Sequence, residues 1–206
     1  MIESNVYGIF PVPIYRSQLS RKFTKTELRF VEKIKTKSTP NLGNTRSSNS
    51  YILNSSPFSH LKKEIDLFIK DYSAKILFPP KSISPYITQS WLNYTETKQH
   101  HHAHNHVNSY LSGVLYINAN KRYDNLTFQC SAFKYNQLKF PATQSNLYNS
   151  ESWAFPVETG EIIIFPSYLT HLVNEKQGKN TRVSLSFNVF LKGNLGKAQN
   201  LNELKL

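Results

Sequence analysis

Apolar residues recur every three or four positions in two stretches near the N-terminus, the period of an amphipathic helix. Thr24 and Glu27 have the spacing of a capping box, which predicts a helix near 24–37. Ser56 and Pro57 provide an N-cap and a first-turn proline for a second helix over about 57–76. The apolar residues of the second helix are Leu61, Ile65, Phe68, Ile69 and Tyr72. One face of this helix is therefore expected to lie on a sheet.

Beyond residue 80 the pattern changes to short β-branched and aromatic segments separated by turn residues. These segments predict strands at 86–94, 109–118, 125–133, 161–166, 171–174 and 182–191. Short strands with such turns are typical of an antiparallel barrel or sandwich. The polar stretches 37–51 and 134–157 are predicted to be loops.

The 206 residues, 39% of them hydrophobic, are enough for one domain with a real core. We predict a single domain over 1–206: helical support in 1–80, a β core in 81–191 and a C-terminal tail in 192–206. Cys130, the one cysteine, has no partner for an internal disulfide, and neither a membrane segment nor a secretory signal is visible. A cytoplasmic location is therefore expected.

The charge is strongly unbalanced, with 25 Lys and Arg against 13 Asp and Glu and a net charge of +12. Such a surface attracts nucleic acid, anionic partners or small anionic substrates. A solvated, lysine-rich helix face explains the same excess. No zinc finger, aromatic RNA-binding motif or helix-turn-helix pattern is present, so nucleic acid stays possible but has no motif to support it.

Five of the seven histidines lie within residues 100–106, and a sixth is His171. Imidazole binds Fe(II), Zn(II), Cu(II) and Ni(II), so the cluster is a candidate metal site, although a surface tract binding metal incidentally is the plain alternative. His104 and His106 are two positions apart, which places both side chains on one face of a strand. His171 follows a buried-looking strand and supplies a third ligand. The spacing of His102 and His104 is the same, so the register stays open.

Arg182 begins a segment in which polar and apolar residues alternate. Arg182, Ser184 and Ser186 fall on one face, and the other face is apolar. A solvent-facing edge strand has this pattern too. Alternatively, the polar face lines a small-molecule pocket, where the arginine binds a carboxylate through two hydrogen bonds and a serine adds another.

Three motifs resemble the 2-oxoglutarate/Fe(II)-dependent oxygenases, more closely a prolyl hydroxylase-like group from marine bacteria and large tailed phages. The motifs are FPVPIY at 10–15, ITQSWLNY with HHAHNHVNSYLSGVLYIN in 87–118, and WAFPVETGEIIIFPSYLTH with RVSLSFNVF in 153–190. The resemblance implies a mainly β fold with α-helices: a double-stranded β-helix, or cupin-like jelly roll, with the N-terminal helices packed outside. A phage origin would place the protein in the host cytoplasm.

The resemblance also implies roles for individual residues. His104, His106 and His171 correspond to the metal ligands, with His106 standing where the common triad has Asp or Glu. Arg182 corresponds to the residue that binds the far carboxylate of 2-oxoglutarate, assisted by Ser184 or Ser186. Tyr94 and Tyr116 lie where related hydroxylases have tyrosines that contact the co-substrate, and both also suit an aromatic core.

The implied activity is that of a dioxygenase using Fe(II), 2-oxoglutarate and O2. It would hydroxylate a peptide or protein side chain, or another unidentified substrate, and release succinate and CO2. No catalytic residue beyond the metal ligands is expected, and neither is a membrane partner. The alternative is a non-catalytic cupin-like barrel that binds metal or a small ligand, for example as a phage structural or assembly factor.

Overall fold

Strands dominate the computed structural model, which describes residues 2–130 and 142–206. Two α-helices precede most of the strands: α1 (Lys25–Lys35) and α2 (Ser59–Tyr72), the second continued by a π turn over Ser73–Leu77. The strands are β1 (Tyr15–Gln18), β2 (Ser38–Asn41), β3 (Asn44–Ser47), β4 (Ser84–Thr95), β5 (His101–His104), β6 (Leu111–Asn118), β7 (Asn125–Gln129), β8 (Ser152–Pro156), β9 (Glu161–Pro166), β10 (His171–Val173), β11 (Arg182–Lys192), β12 (Asn194–Leu195) and β13 (Leu204–Lys205).

The strands form two main antiparallel sheets. The larger sheet has the order β1-β9-β6-β11-β4-β3-β2, and the smaller has the order β5-β10-β7-β8. β12 and β13 form a separate hairpin sheet near the C-terminus. Strands distant in sequence are thus neighbours in both main sheets, as the predicted double-stranded β-helix requires, and that prediction is confirmed.

The N-terminal helices cover the outside of the larger sheet. The predicted capping box is present at α1: the Glu27 backbone N–H donates to Thr24 Oγ1 at 3.2 Å, and the Thr24 N–H donates to Glu27 Oε2 at 2.7 Å. Arg21 joins the two helices through ion pairs with Glu27 at 2.7 Å and Glu64 at 2.6 Å. Among the described residues, no helix has the length and apolar character needed to cross a bilayer.

Two apolar clusters occupy the two faces of the larger sheet. The first packs the helices against the sheet and includes Ile65 from α2, Leu92 from β4 and Leu185 from β11. The second lies between the two sheets and includes Phe165 from β9 and Phe128 from β7. The space beside this second cluster is where polar side chains of both sheets meet.

The six predicted strands are all present, with end points shifted by a few residues at most in the described part of the chain. The prediction of a loop over 37–51 is wrong, because β2 and β3 form a hairpin that pairs with β4. Its strands are polar and lie at the sheet edge, so no apolar alternation marks them. The predicted loop over 134–157 contains β8, and positions 134–141, like 131–133 of the predicted third strand, lie outside the described residues.

The segment before residue 80 supplies β1, β2 and β3 to the larger sheet in addition to both helices. It is therefore part of the β framework as well as its support. The single-domain assignment over 1–206 and its internal boundaries stay predictions.

Gly113 on β6 is needed because the ring of Phe187 on β11 occupies the place of its side chain. A Cβ atom at residue 113 would overlap the Phe187 ring. We expect Gly113→Ala to lower the free energy of unfolding by about 1–3 kcal/mol, the usual cost of overpacking a core. Urea denaturation measures this loss.

Gly8→Ala is the matched control, since a Cβ there meets only the Tyr148 side chain at an ordinary 3.7 Å. Its effect should stay within about 0.5 kcal/mol. Equal stability of the two variants would contradict the packing described for Gly113.

Candidate active site

Strand pairing brings together the three histidines that the sequence analysis proposed as ligands. His104 ends β5, His171 begins β10, and the two residues are direct partners in the antiparallel pair. His106 lies just after β5, where its backbone N–H donates to the Ser167 carbonyl at 3.0 Å. The ligand nitrogens of the three side chains all lie within 4.8 Å of one another.

Each of these imidazoles is oriented by an oxygen atom at its Nδ1. His104 Nδ1 lies 2.8 Å from the His102 carbonyl oxygen, and His171 Nδ1 lies 3.0 Å from the Leu169 carbonyl oxygen. His106 Nδ1 lies 2.5 Å from Asn188 Oδ1. A carbonyl oxygen only accepts, so Nδ1 carries the proton in all three rings. Nε2 is then the nitrogen with a free lone pair, which is the arrangement typical of metal-binding histidines.

Burial keeps these rings neutral. Desolvation is the main cause that lowers the pKa of His171 to about 3, and the neighbouring His104 lowers it further. Desolvation also lowers the pKa of His104 and of His106. The neutral imidazole is the form that coordinates metal, so the site is ready for a cation at neutral pH.

A second set of three histidines shares one member with the first. His101, His102 and His104 also have ligand nitrogens within 4.8 Å of one another. The alternative pair His102 and His104 is therefore also close together, in a set whose third member is His101 and not His171. β5 ends at His104, so the strand geometry invoked for His104 and His106 applies instead to His102 and His104. The proximity of His106 comes from the turn after the strand. His100 is exposed, and His60 lies on α2.

Arg182 is a buried cation with an incomplete set of partners. It is 4% exposed, and its Nη1 donates to the Asn125 carbonyl at 3.1 Å. Its Nε has no hydrogen-bond partner, and it makes no ion pair with any acidic residue in the described part of the chain. Burial lowers its pKa, and Tyr116 and Asp124 act in the opposite direction. The Tyr116 ring centroid lies 5.9 Å from its Cζ.

Asp124, the one acidic residue that acts on the pKa of Arg182 among the described residues, already has a cationic partner. Asp124 forms a buried ion pair with Lys176, whose Nζ lies 3.4 Å from Asp124 Oδ1. Lys176 also donates to Asn180 Oδ1 at 2.9 Å and to the Gly178 carbonyl at 3.0 Å. These two opposite charges balance each other. The positive charge of Arg182 is left without a counter-ion from residues 2–130 and 142–206.

The histidines and Arg182 line one cavity between the two sheets. We call it the inner cavity. Tyr116, Ser184 and Ser186 also line it, and their contact with a co-substrate stays a prediction. The buried atoms Asn44 Nδ2 and Asn93 Oδ1, which also belong to it, have no hydrogen-bond partner among the described residues. Together with Arg182 Nε, they leave both donors and an acceptor for a polar ligand.

The structure corrects the predicted place of Tyr94. This tyrosine points to the helix side of β4, is fully buried, and donates its hydroxyl to the Val31 carbonyl at 2.7 Å. Its strand neighbour Asn93 faces the inner cavity, and side chains alternate along a strand. Tyr94 therefore belongs to the apolar core and is not available to a co-substrate.

Several residues of the site carry no prediction of their own. Asn188, which orients His106, lies on the polar face of β11, and that alternation could have identified it. Ser112 also approaches His106 Nδ1, at 2.9 Å. Asn44 comes from the hairpin that was predicted to be a loop, so the sequence gives no signal for it. Trp91 and Asn93 lie on β4, where the aromatic pattern hides which face is polar.

Comparison with known proteins gives one family match, which covers the central part of the chain. Residues 89–188 match the family model described as "Putative 2OG-Fe(II) oxygenase". No curated protein sequence matches the chain.

Three solved structures illustrate the shared fold. The epimerase SnoN from nogalamycin biosynthesis has a TM-score of 0.61 at 9% identity, covering 88% of this chain and 81% of its own. HygX from Streptomyces hygroscopicus, with nickel, 2-oxoglutarate and hygromycin B bound, has a TM-score of 0.55 at 10% identity, covering 86% and 82%. A prolyl-4-hydroxylase from Pseudomonas putida has a TM-score of 0.54 at 11% identity, covering 86% and 92%.

The unbalanced charge of Arg182 has a consequence for stability. Burying an uncompensated cation is costly, so we expect Arg182→Met to raise the free energy of unfolding of the ligand-free protein by about 1 kcal/mol or more. Urea denaturation without metal or 2-oxoglutarate measures the change. Arg46→Met, at a half-buried arginine, should stay within about 0.5 kcal/mol. A clear loss of stability in Arg182→Met would instead indicate that the protein itself satisfies the guanidinium.

Proposed function

We propose that the chain oxidises a C–H bond of an organic substrate using Fe(II), 2-oxoglutarate and O2, because its residues 89–188 match the model of a 2OG-Fe(II) oxygenase family. One observation carries the proposal. A triad of neutral histidines and an unpaired buried arginine line the same inner cavity. The three imidazoles are suited to a divalent metal, and the unpaired guanidinium is suited to an anion.

The residues present fit the metal. His104, His106 and His171 come from two paired segments, each ring directs the same nitrogen away from its oxygen partner, and imidazole is a good ligand for ferrous iron. His106 replaces the carboxylate of the common triad, so three neutral ligands leave the full charge of the metal uncompensated by protein. We expect weaker retention of iron than a carboxylate would give, and stronger attraction of an anionic co-substrate.

The residues also fit 2-oxoglutarate, a dicarboxylate. Arg182 holds its far carboxylate, and the free Nε supplies a donor that the protein leaves unused. Ser184 and Tyr116 line the same cavity, and each has a hydroxyl that can donate to this group. Ser186 is less free, because its Oγ accepts from Asn93 Nδ2 at 3.0 Å.

The bound metal supplies the oxidative chemistry: one oxygen atom of O2 enters the substrate as a hydroxyl group, and the other converts 2-oxoglutarate to succinate and CO2. The chain itself orients the imidazoles, binds the co-substrate and excludes water. Phe165 contributes to this last task, since its ring lies 4.8 Å from that of His171 between centroids. We propose a hydroxylase-type reaction, with a peptide or protein side chain as the favoured substrate, in line with the structural similarity to a prolyl-4-hydroxylase.

Calorimetry of 2-oxoglutarate binding without oxygen tests the proposal. We expect one site per chain in the presence of Fe(II). Admitting O2 should then yield succinate that depends on both Fe(II) and 2-oxoglutarate. Binding without any succinate would favour the alternative, a cupin-like barrel that binds its ligand without turnover. No binding at all would reject the proposed co-substrate.

The variant Arg182→Met tests the role of this arginine in binding 2-oxoglutarate. Removing the charged partner of a buried carboxylate costs about 2–5 kcal/mol, so we expect the affinity for 2-oxoglutarate to fall by at least about 30-fold. The same anaerobic titration measures it. An unchanged affinity would remove Arg182 from the co-substrate site.

Two histidine variants decide the metal register. His106→Ala should weaken Fe(II) binding by at least about 100-fold, the upper end of the loss seen when only a partner of a ligand is removed. His102→Ala should retain Fe(II), because the backbone carbonyl that orients His104 is kept. Competition with a chromophoric chelator under anaerobic conditions measures both affinities.

His60→Ala, on α2, serves as the control for loss of an unrelated histidine. If His102→Ala loses iron and His106→Ala keeps it, the metal belongs to the set formed by His101, His102 and His104.

A further inference from the structure

A second pocket opens on the solvent side of the histidine triad. It shares His101, His104, His106 and Trp91 with the inner cavity, and it is otherwise bounded by residues that include Arg46, Gln89 and Asn188. We call it the outer pocket. A molecule bound there would lie next to the candidate metal ligands without entering the inner cavity.

The hairpin of β2 and β3 forms one wall of the outer pocket. Arg46 on β3 is the direct partner of Asn93 on β4. Directly opposed residues of an antiparallel pair project from the same face of the sheet. Asn93 lines the inner cavity, so Arg46 projects from the same face, at the rim.

The electrostatics of the outer pocket favour an anion. Arg46 makes one hydrogen bond, from Nη1 to the Ser47 carbonyl at 3.2 Å, and no ion pair within the described part of the chain. The described residues lining the pocket include no Asp or Glu. The remaining donors of this half-buried guanidinium have no partner among the described residues, and the pocket that Arg46 lines contains no competing carboxylate.

We propose that Arg46 binds an anionic group of the primary substrate, a carboxylate or a phosphate, and so sets the substrate preference of the outer pocket. The inference rests on the proposed function, since it assigns the substrate class of the same site. Trp91 supplies an apolar surface beside the anion site, with its ring centroid 5.8 Å from that of His106. A substrate anchored by its charge at Arg46 and packed on Trp91 presents its remaining carbon atoms to the triad.

The two arginines would then divide the anions between them. Arg182 lies in the inner cavity, and Arg46 lies at the rim of the outer pocket. 2-Oxoglutarate bound at Arg182 leaves Arg46 free. An anionic substrate and an anionic co-substrate therefore have separate cationic partners, one in each of the two pockets that share these histidines.

The test uses the full chain saturated with Zn(II), which is not redox-active, and 2-oxoglutarate. Calorimetry compares three probes with the same phenyl ring: 3-phenylpropionate, 3-phenylpropyl phosphate and the neutral 3-phenylpropanamide. At least one anion should bind about tenfold more tightly than the amide, since hydrogen bonds to charged groups are the stronger ones. The anionic probe that binds more tightly shows whether a carboxylate or a phosphate is the preferred group.

Arg46→Gln should abolish the preference for the anion, and Arg46→Lys should keep part of it. Arg29→Gln, at an exposed position of α1, removes the same charge outside the pocket and should leave the preference unchanged. Thermal unfolding checks that the variants are folded.

Three results would overturn the inference: no preference in the parent protein, a preference that survives in Arg46→Gln, or an equal loss in Arg29→Gln. Displacement of 2-oxoglutarate by the probes would also overturn it, because the anion would then bind in the inner cavity. Titrations of the same probes without metal and 2-oxoglutarate test the Arg46 anion site independently of the proposed function. If the parent protein fails to bind 2-oxoglutarate but keeps an Arg46-dependent preference, the function is wrong and the anion site stands.

Discussion

The register of β11 is the constraint on which both the fold and the candidate site depend. β11 lies inside the larger sheet, paired with β4 on one side and β6 on the other, so neither of its edges is free. Leu185 and Phe187 enter the core beneath the helices, whereas Arg182 and Ser184 face the inner cavity. A shift of one residue would exchange the two faces. It would place the guanidinium of Arg182 in the apolar core. Pairing with both β4 and β6 holds the register against such a shift.

Charges inside the protein are balanced everywhere except at the candidate site, as far as the described residues show. Glu27 is buried and paired with Arg21, and Lys176 is buried and paired with Asp124. Arg182 alone among these buried groups has no opposite charge beside it. The histidines near it are neutral and add none. The interior thus has an electrostatic asymmetry that an incoming anion corrects, and the fold keeps this asymmetry although it costs stability.

Local patterns in the sequence were sufficient for the helices and for most strands. The capping box at Thr24 and the alternation after Arg182 each specify a conformation without help from distant residues. The β2–β3 hairpin has no such pattern, because an edge strand of polar residues depends on its pairing with β4. Tyr94 was misplaced for a related reason: both faces of β4 carry an aromatic residue, Trp91 on one and Tyr94 on the other. The choice between these faces depends on packing with α1, which lies far away in the sequence.

The β2–β3 hairpin supplies Asn41 and Arg46 to the outer pocket, yet none of its residues belongs to the buried apolar clusters. Leu42, its one large apolar residue, is 63% exposed. Replacement of the half-buried Arg46 would therefore change the lining of the outer pocket at little expense to folding. The recognition proposed for Arg46 thus depends on a side chain outside the apolar core, so it can change while the histidines and the central strands remain as they are.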